Sequence, residues 1–186
     1  MNTPTAFTTA LALLRRLLRA LLPFAVAVAV ALTLQAVVGR LYEVRQGSME
    51  QTLTDGDLLL GEKLTPRFGT LAYGDVVVFT ISDGPAPGEA LIKRVVGLPG
   101  DTLRIADGVL YRNGEPVLEP YVYSVSGGTT PVTEEDQWTI AAGELFVMGD
   151  HRDGSTDSRA FGPIALAEVD ARILFRVAPF SGFAAP

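Results

Sequence analysis

The sequence predicts a mostly-β domain, small and barrel-like, carried on a single N-terminal transmembrane helix. Three observations predict it. A twenty-residue uncharged run lies near the start; short β-type segments broken by glycine, proline and Asp-Gly follow Arg40; and no long amphipathic helix comes after the run. The 186 residues suffice for one anchor and one compact domain, not for two full domains.

Residues 5–19 read as a helix, amphipathic to apolar, that runs into the membrane span. From Ala20 to Gly39 the chain reads ALLPFAVAVAVALTLQAVVG, with Thr33 and Gln35 its polar side chains. At about 1.5 Å per residue this run covers roughly 30 Å, the thickness of the hydrocarbon core. Pro23 falls near the start of the span, where a missing amide hydrogen bond costs least. Arg15, Arg16 and Arg19 resemble the basic region of a cleaved secretory signal. The apolar run exceeds the roughly 7–15 residues of such signals and no small-x-small site closes it, so it reads as an uncleaved anchor. Arginines before the span, with no acids there, place residues 1–19 in the cytoplasm, 20–39 in the membrane and 40–186 outside it.

Beyond Arg40, period and composition predict strands at Asp57–Leu60, Asp75–Ile81, Ala90–Val96, Thr102–Ile105, Val109–Arg112, Glu144–Met148 and Ile173–Val177. Asn113-Gly114 is a tight-turn signal, because both residues tolerate positive φ. Ser124–Glu135 is polar loop material, and there are no internal repeats. The strands are numerous enough to close a small barrel.

Charge separates along the chain. From Glu43 onward 21 acids face 11 bases, a net charge of −10. Such a surface is soluble and does not hold nucleic acid by counterion release. With no cysteine and one histidine, disulfides, thiolate metal sites and multi-histidine centres are excluded, so no metal or cofactor is expected.

Ser48 lies about ten residues after the span. A lone serine is ordinarily a cap or a turn residue. Here Gly47 permits a tight bend beside it, while Met49 and Leu53 supply an apolar wall. A nucleophile needs an exposed oxygen against such a wall and a backbone amide to hold an oxyanion. Lys93 is a candidate partner. Strand alternation puts Leu91, Lys93 and Val95 on one face and Ile92, Arg94 and Val96 on the other. Burial there would lower the lysine pKa and fit it for proton acceptance near neutral pH. The competing reading is a lysine snorkelling from a strand edge. Arg94 is excluded as a base, since guanidinium keeps its proton in proteins. A third segment, Met148–Arg159, packs acids, arginines and hydroxyls into a turn after an apolar strand. Its Asp–Arg pairs suit a rigid support, and Ser155 or Ser158 could aim a neutral lysine. The alternative is a solvated loop.

Taken together, four ordered motifs carry a resemblance. They are GSM-x-x-TL at Gly47–Leu53, GDVVVF at Gly74–Phe79, KRVVGLPGD at Lys93–Asp101 and GD-x-R-x-x-S-x-DSR at Gly149–Arg159. The chain resembles bacterial type I signal peptidases, membrane-anchored serine endopeptidases that remove signal peptides from exported proteins. The likeness runs from the anchor to about Phe180, and the stretch between Asp101 and Glu144 is similar to the compact members without a large inserted β-domain. The resemblance implies Ser48 as nucleophile, Lys93 as general base and Ser155 as the serine that positions the lysine. It further implies Asp157 and Arg159 as an ion pair holding the loop, and the Ser48 amide with the Gln46 side chain as oxyanion donors. Tyr42, Val44, Met49, Leu53, Leu91 and Ile92 would form apolar subsites for small side chains. Preprotein signal peptides are the implied substrates, at the bacterial plasma membrane beside the translocation machinery, with the enzyme a monomer.

Three positions depart from the family pattern. Gln51 stands where proline is usual, Gln46 where many relatives carry serine, and His151 where asparagine is usual. The proline change implies a less rigid turn after Ser48, and His151, with no partner pattern around it, reads as structural. Two other readings share these features: a pseudopeptidase that binds preproteins without cutting them, and a self-cleaving Ser/Lys protease. The membrane span and acidic domain argue against the latter.

Overall fold

The computed structural model describes residues 6–45, 47–82, 87–125 and 137–179, with side chains described outside 6–14 and 34–38. Two compact units divide at Val38 and Gly39.

The first unit is one helix, α1 (Ala6–Val38). Its stretch Arg15–Thr33 is long and apolar enough to cross a membrane, and none of it is buried against the chain. Thr33 Oγ1 donates to Ala29 O at 2.8 Å, satisfying its hydroxyl inside the helix. The helix begins well before the span, so Pro23 is an interior residue rather than a first-turn one. Its ring deletes one i→i−4 bond within an otherwise continuous ladder. Gly39, expected as the last residue of the span, already opens a strand.

The second unit is all antiparallel within its sheets. The larger sheet contains β1 (Gly39–Glu43), β2 (Leu58–Glu62), β3 (Val76–Thr80), β4 (Ala90–Gly97), β9 (Glu144–Met148), β10 (Ile164–Ala165) and β11 (Val169–Ala178). Their spatial order is β1-β2-β11-β3-β4-β9-β10. The smaller sheet orders β5 (Thr102–Ala106), β6 (Val109–Arg112), β7 (Glu115–Pro116) and β8 (Gln137–Thr139) as β7-β6-β5-β8. The mostly-β expectation holds, but closure does not: among the described residues β1 and β10 are the edges of the larger sheet, and two packed open sheets stand in place of a closed ring. The smaller sheet covers a face that closure would otherwise have to bury.

The core explains the sequence pattern. In β3, Val77 and Phe79 enter one apolar cluster and Val76 and Val78 another. In β9, Leu145 and Val147 join the first, while Phe146 and Met148 meet Leu103, Ile105 and Leu110 of the smaller sheet. Central strands covered on both faces read as unbroken apolar runs. The expected Asn113-Gly114 turn joins β6 to β7, where Arg112 pairs Glu115 and the two turn residues have φ of 55° and 86°. Two short α-helices, α2 (Leu64–Phe68) and α3 (Ser158–Phe161), and three 3-10 turns complete the described elements. Most of the expected loop Ser124–Glu135 lies outside the described residues.

Candidate active site

Ser48 sits in a 3-10 turn, Gly47–Met49, that follows β1. Glu50 N donates to Gly47 O, and Thr52 N and Leu53 N both donate to Met49 O, so the chain folds back on itself immediately after the serine. Met49 and Leu53 are buried in the apolar cluster of Leu59, Val76 and Val78, which anchors the turn from beneath. At the crest of the turn Gln51 has φ of 63°. That is the left-handed region, closed to proline, whose ring fixes φ near −65°. A proline at this position would therefore need a turn of another shape.

Lys93 comes from β4, paired across the sheet with Val77. The expected alternation holds, since Leu91 and Val95 enter one cluster and Ile92 packs against the other. Lys93 is 1 % exposed, and its Nζ lies 2.6 Å from Ser48 Oγ. An ammonium donates to that oxygen; the neutral amine accepts the hydroxyl proton across the same contact. Burial, the largest influence, lowers the Lys93 pKa to about 8, with Asp157 and Asp150 pulling it up and Arg159 pushing it down.

The turn after β9 closes over this pair. His151 N donates to Ser48 O at 3.1 Å. A Cβ placed on Gly149 would lie 2.3 Å from Ser155 Oγ and 2.4 Å from Ser48 O, so only glycine lets the turn come this close. Asp157 accepts from Gly149 N, Ser155 Oγ and the Arg159 guanidinium. Its burial alone would raise its pKa; Arg159, the Gly149 amide and Ser155 outweigh that and hold the carboxyl below its ordinary value. Arg159 also donates to Arg152 O and Ser155 O, which ties the turn into one unit. Ser155 thus stands next to the Ser48 backbone, yet its hydroxyl donates to Asp157 at 2.8 Å. Ser158, the other candidate, hydrogen-bonds Val147 N and serves the β9 backbone.

His151 turns its ring elsewhere. Its Nδ1 is 3.2 Å from Gly47 O and its Nε2 3.2 Å from Asp153 Oδ1, with the ring packed on Tyr123.

A cavity of about 850 Å³ opens beside Ser48, with Tyr42, Val44, Met49 and Ile92 in its wall. Leu53 and Leu91 lie behind that wall, in the apolar clusters. Val78, Thr80 and Ala90 also line the cavity. Sequence reading missed them because they belong to β3 and β4 as plain strand residues, placed here by register alone. Gln46 lies outside the described residues. The sequence also undervalued Arg94 and Asp150, a buried pair joined by Arg94 Nε and Nη2 to Asp150 Oδ1 and Oδ2. Their adjacency to Lys93 and His151 in the motifs was the available signal.

A serine hydroxyl against a buried amine, at the wall of a cavity with an apolar floor and a charged rim of Arg40, Glu43, Arg45, Glu89 and Asp170, has the parts that a serine hydrolase with a lysine base would need. Comparison with known proteins narrows that class. The family model described as "Signal peptidase, peptidase S26" matches residues 17–178. The chain is 37% identical over 171 residues to signal peptidase I of Bacillus caldolyticus, covering 87% of this chain and 92% of that one. It is 34% identical over 161 residues to probable signal peptidase I-1 of Synechocystis sp., covering 84% and 80%. A crystal structure of a signal peptidase I from Enterococcus faecalis V583 is 31% identical, with a TM-score of 0.45 over 55% of this chain and 96% of that one. The chain belongs to the signal peptidase family, peptidase S26.

Proposed function

We propose that this chain is a membrane-anchored serine endopeptidase that cleaves N-terminal signal peptides from exported preproteins after small-x-small sites. Ser48 is the nucleophile and Lys93 the general base. The observation that supports this most strongly is the 2.6 Å contact between the buried Lys93 amine and the Ser48 hydroxyl. The names of the relatives support the substrate class.

Neutral Lys93 takes the proton of Ser48 as Oγ attacks the scissile carbonyl. The carbonyl oxygen becomes an oxyanion for which the Ser48 amide and the Gln46 side chain are the expected donors; one such donor is worth about 2.7–4 kcal/mol. Collapse of the tetrahedral adduct breaks the C–N bond, and the Lys93 ammonium gives its proton to the departing amine. Water then attacks the acyl-enzyme, with Lys93 again accepting the proton and returning it to Oγ. Asp157, Arg159 and Ser155 hold the turn that covers the pair. Tyr42, Val44, Met49 and Ile92 favour small side chains by sterics.

Topology follows from the arginines. Residues 1–19 stay in the cytoplasm, the helix from residue 20 to Val38 spans the plasma membrane, and the chain from Gly39 onward faces outward. Ser48 follows the helix by ten positions in sequence, which tethers the site to the surface where signal peptides emerge.

Cleavage of a preprotein by the purified full chain in proteoliposomes tests the reading. Ser48→Ala and Lys93→Ala, each with an unchanged melting curve, are expected to lose at least about a thousandfold in kcat/KM. Cleavage surviving in Lys93→Ala would remove the lysine base. Binding without cleavage by the wild type would make the chain a pseudopeptidase.

A further inference from the structure

Tyr42 and Asp170 both line the cavity beside Ser48, although they come from opposite ends of the domain sequence. The Tyr42 hydroxyl donates to Asp170 Oδ2. Lys63 Nζ, just after β2, donates to the other oxygen, Oδ1, at 2.7 Å. One carboxylate thus joins β1, β2 and β11.

Asp170 reaches this place through a bulge. Val169 pairs with Phe79 and Ala171 with Val78, two steps along β11 against one along β3, so Asp170 is the extra residue. Bulges re-aim a side chain and interrupt alternation. The ring of Tyr42 is seated by a second device. A Cβ at Gly61 would lie 2.8 Å from Tyr42 Cε2 and 3.1 Å from Ala171 Cβ, so the absent side chain is the shelf on which the ring lies. Burial would raise the Asp170 pKa, yet Lys63 and Tyr42 outweigh it and hold the carboxyl below its ordinary value. Burial, then Asp170, raises the Tyr42 pKa, so its hydroxyl stays protonated as the donor.

Among the described residues β1 is an edge strand, with no strand on its outer side. Leu41 beside Tyr42 is 52% exposed. A cavity wall on such a strand keeps its shape only if its side chain is held from the inner side. We propose that Asp170, oriented by Lys63, is a positioning residue that fixes the Tyr42 ring as a wall of the Ser48 cavity and thereby limits the size of the substrate side chain accepted there.

This rests on the peptidase reading, and the test separates the two. Two peptide series, varied Ala, Val, Leu at one of the two small positions at a time, are cleaved by the full chain in detergent. If the wild type cleaves neither Ala peptide, the peptidase reading has failed. If it cleaves them, the Ala-over-Leu ratio of kcat/KM is compared among variants with unchanged melting curves. Tyr42→Phe, which keeps the ring and loses only the hydroxyl, and Asp170→Ala are each expected to lower that ratio by about tenfold at one position, the scale of a methylene or two of wall. Asp170→Asn, which keeps an acceptor oxygen, is expected to recover most of it. A ratio within twofold of wild type at both positions in Tyr42→Phe overturns the proposal, even where Asp170→Ala fails to fold. So does an equal loss for Ala and Leu peptides, which is what a merely structural role produces.

Discussion

Arg94 and Asp150 form a two-pronged ion pair, at 2.9 and 2.6 Å, and both side chains are almost fully buried. Each is the sequence neighbour of a residue at the site. Arg94 follows Lys93 in β4, and Asp150 precedes His151, whose amide donates to Ser48 O. Thr52 Oγ1 adds a third link, donating to Asp150 Oδ2 at 2.6 Å from the turn that carries Ser48. The strand of the proposed base, the turn of the proposed nucleophile and the turn above them share one carboxylate.

Removing that carboxylate leaves a buried guanidinium with half its partners gone. Asp150→Ala is expected to cost about 3–5 kcal/mol, the scale of an uncompensated buried charge. Thermal and denaturant unfolding of the detergent-solubilised chain read it. The double variant Arg94→Met/Asp150→Leu should recover much of the loss, because no charge is then stranded. A single variant as stable as wild type would mean that water reaches the pair.

Gln51 offers a test of the turn itself. Its φ of 63° costs a non-glycine residue roughly 1–2 kcal/mol. Gln51→Gly is expected to be neutral or to stabilise by up to about 1 kcal/mol, and Gln51→Pro to destabilise, since the ring cannot reach positive φ. A higher melting temperature for Gln51→Pro would show that the turn takes the shape that the family's proline implies.

How far the sequence reached follows from what each element depends on. β3, β4, β6 and β9 were legible because two-sided burial or a tight turn writes itself into local residues. β1 was not: Gly39–Glu43 carries Arg40 and Glu43, and its strand character comes from pairing with β2. β11 begins four residues before the expected start, because Asp170 and Arg172 interrupt its apolar pattern while bonding Tyr42 and Glu62. Barrel closure was misjudged for a related reason. Strand count is local, but closure depends on whether edges meet, and here β1 and β10 do not. At the site, Ser48 and Lys93 came from motifs and meet in space. The direction of the Ser155 hydroxyl depends on Asp157 and has no sequence signature.

His151→Asn is expected to keep at least about a tenth of wild-type kcat/KM in the preprotein assay. Its ring bonds Gly47 O and Asp153 and takes no part in the Ser48–Lys93 contact. An imidazole base needs reach to the hydroxyl as well as an orienting acid. A folded but dead variant would reassign the base.

Ser155→Ala removes one donor to Asp157 and opens space beside Gly149 and the Ser48 carbonyl. The turn that holds Ser48 O then loses definition while the cavity wall stays. Turnover should fall with little change in KM, the mark of an interaction that matters in the transition state. A rise in KM alone would place Ser155 in substrate binding.

The pH profile tests the proposed base most directly. In the folded chain the Lys93 pKa is lowered to about 8, chiefly by burial. Only the neutral amine can take the Ser48 proton, so kcat/KM should rise with pH on one limb through about 8 and fall away below it. The same shift acts on stability. A free lysine titrates near 10.4, so between that value and about 8 the unfolded chain binds the proton that the folded chain releases. This group's contribution is full above the unfolded value and is lost as pH falls through the folded one. Asp157 raises the Lys93 pKa, so Asp157→Asn should move the limb toward lower pH wherever the variant folds. Profiles from about pH 5 to 11 on an alanine peptide, for wild type and Asp157→Asn, read both effects. A wild-type limb at the free-lysine value would mean that the amine is solvated in the working enzyme, and a desolvated lysine base would have to be given up.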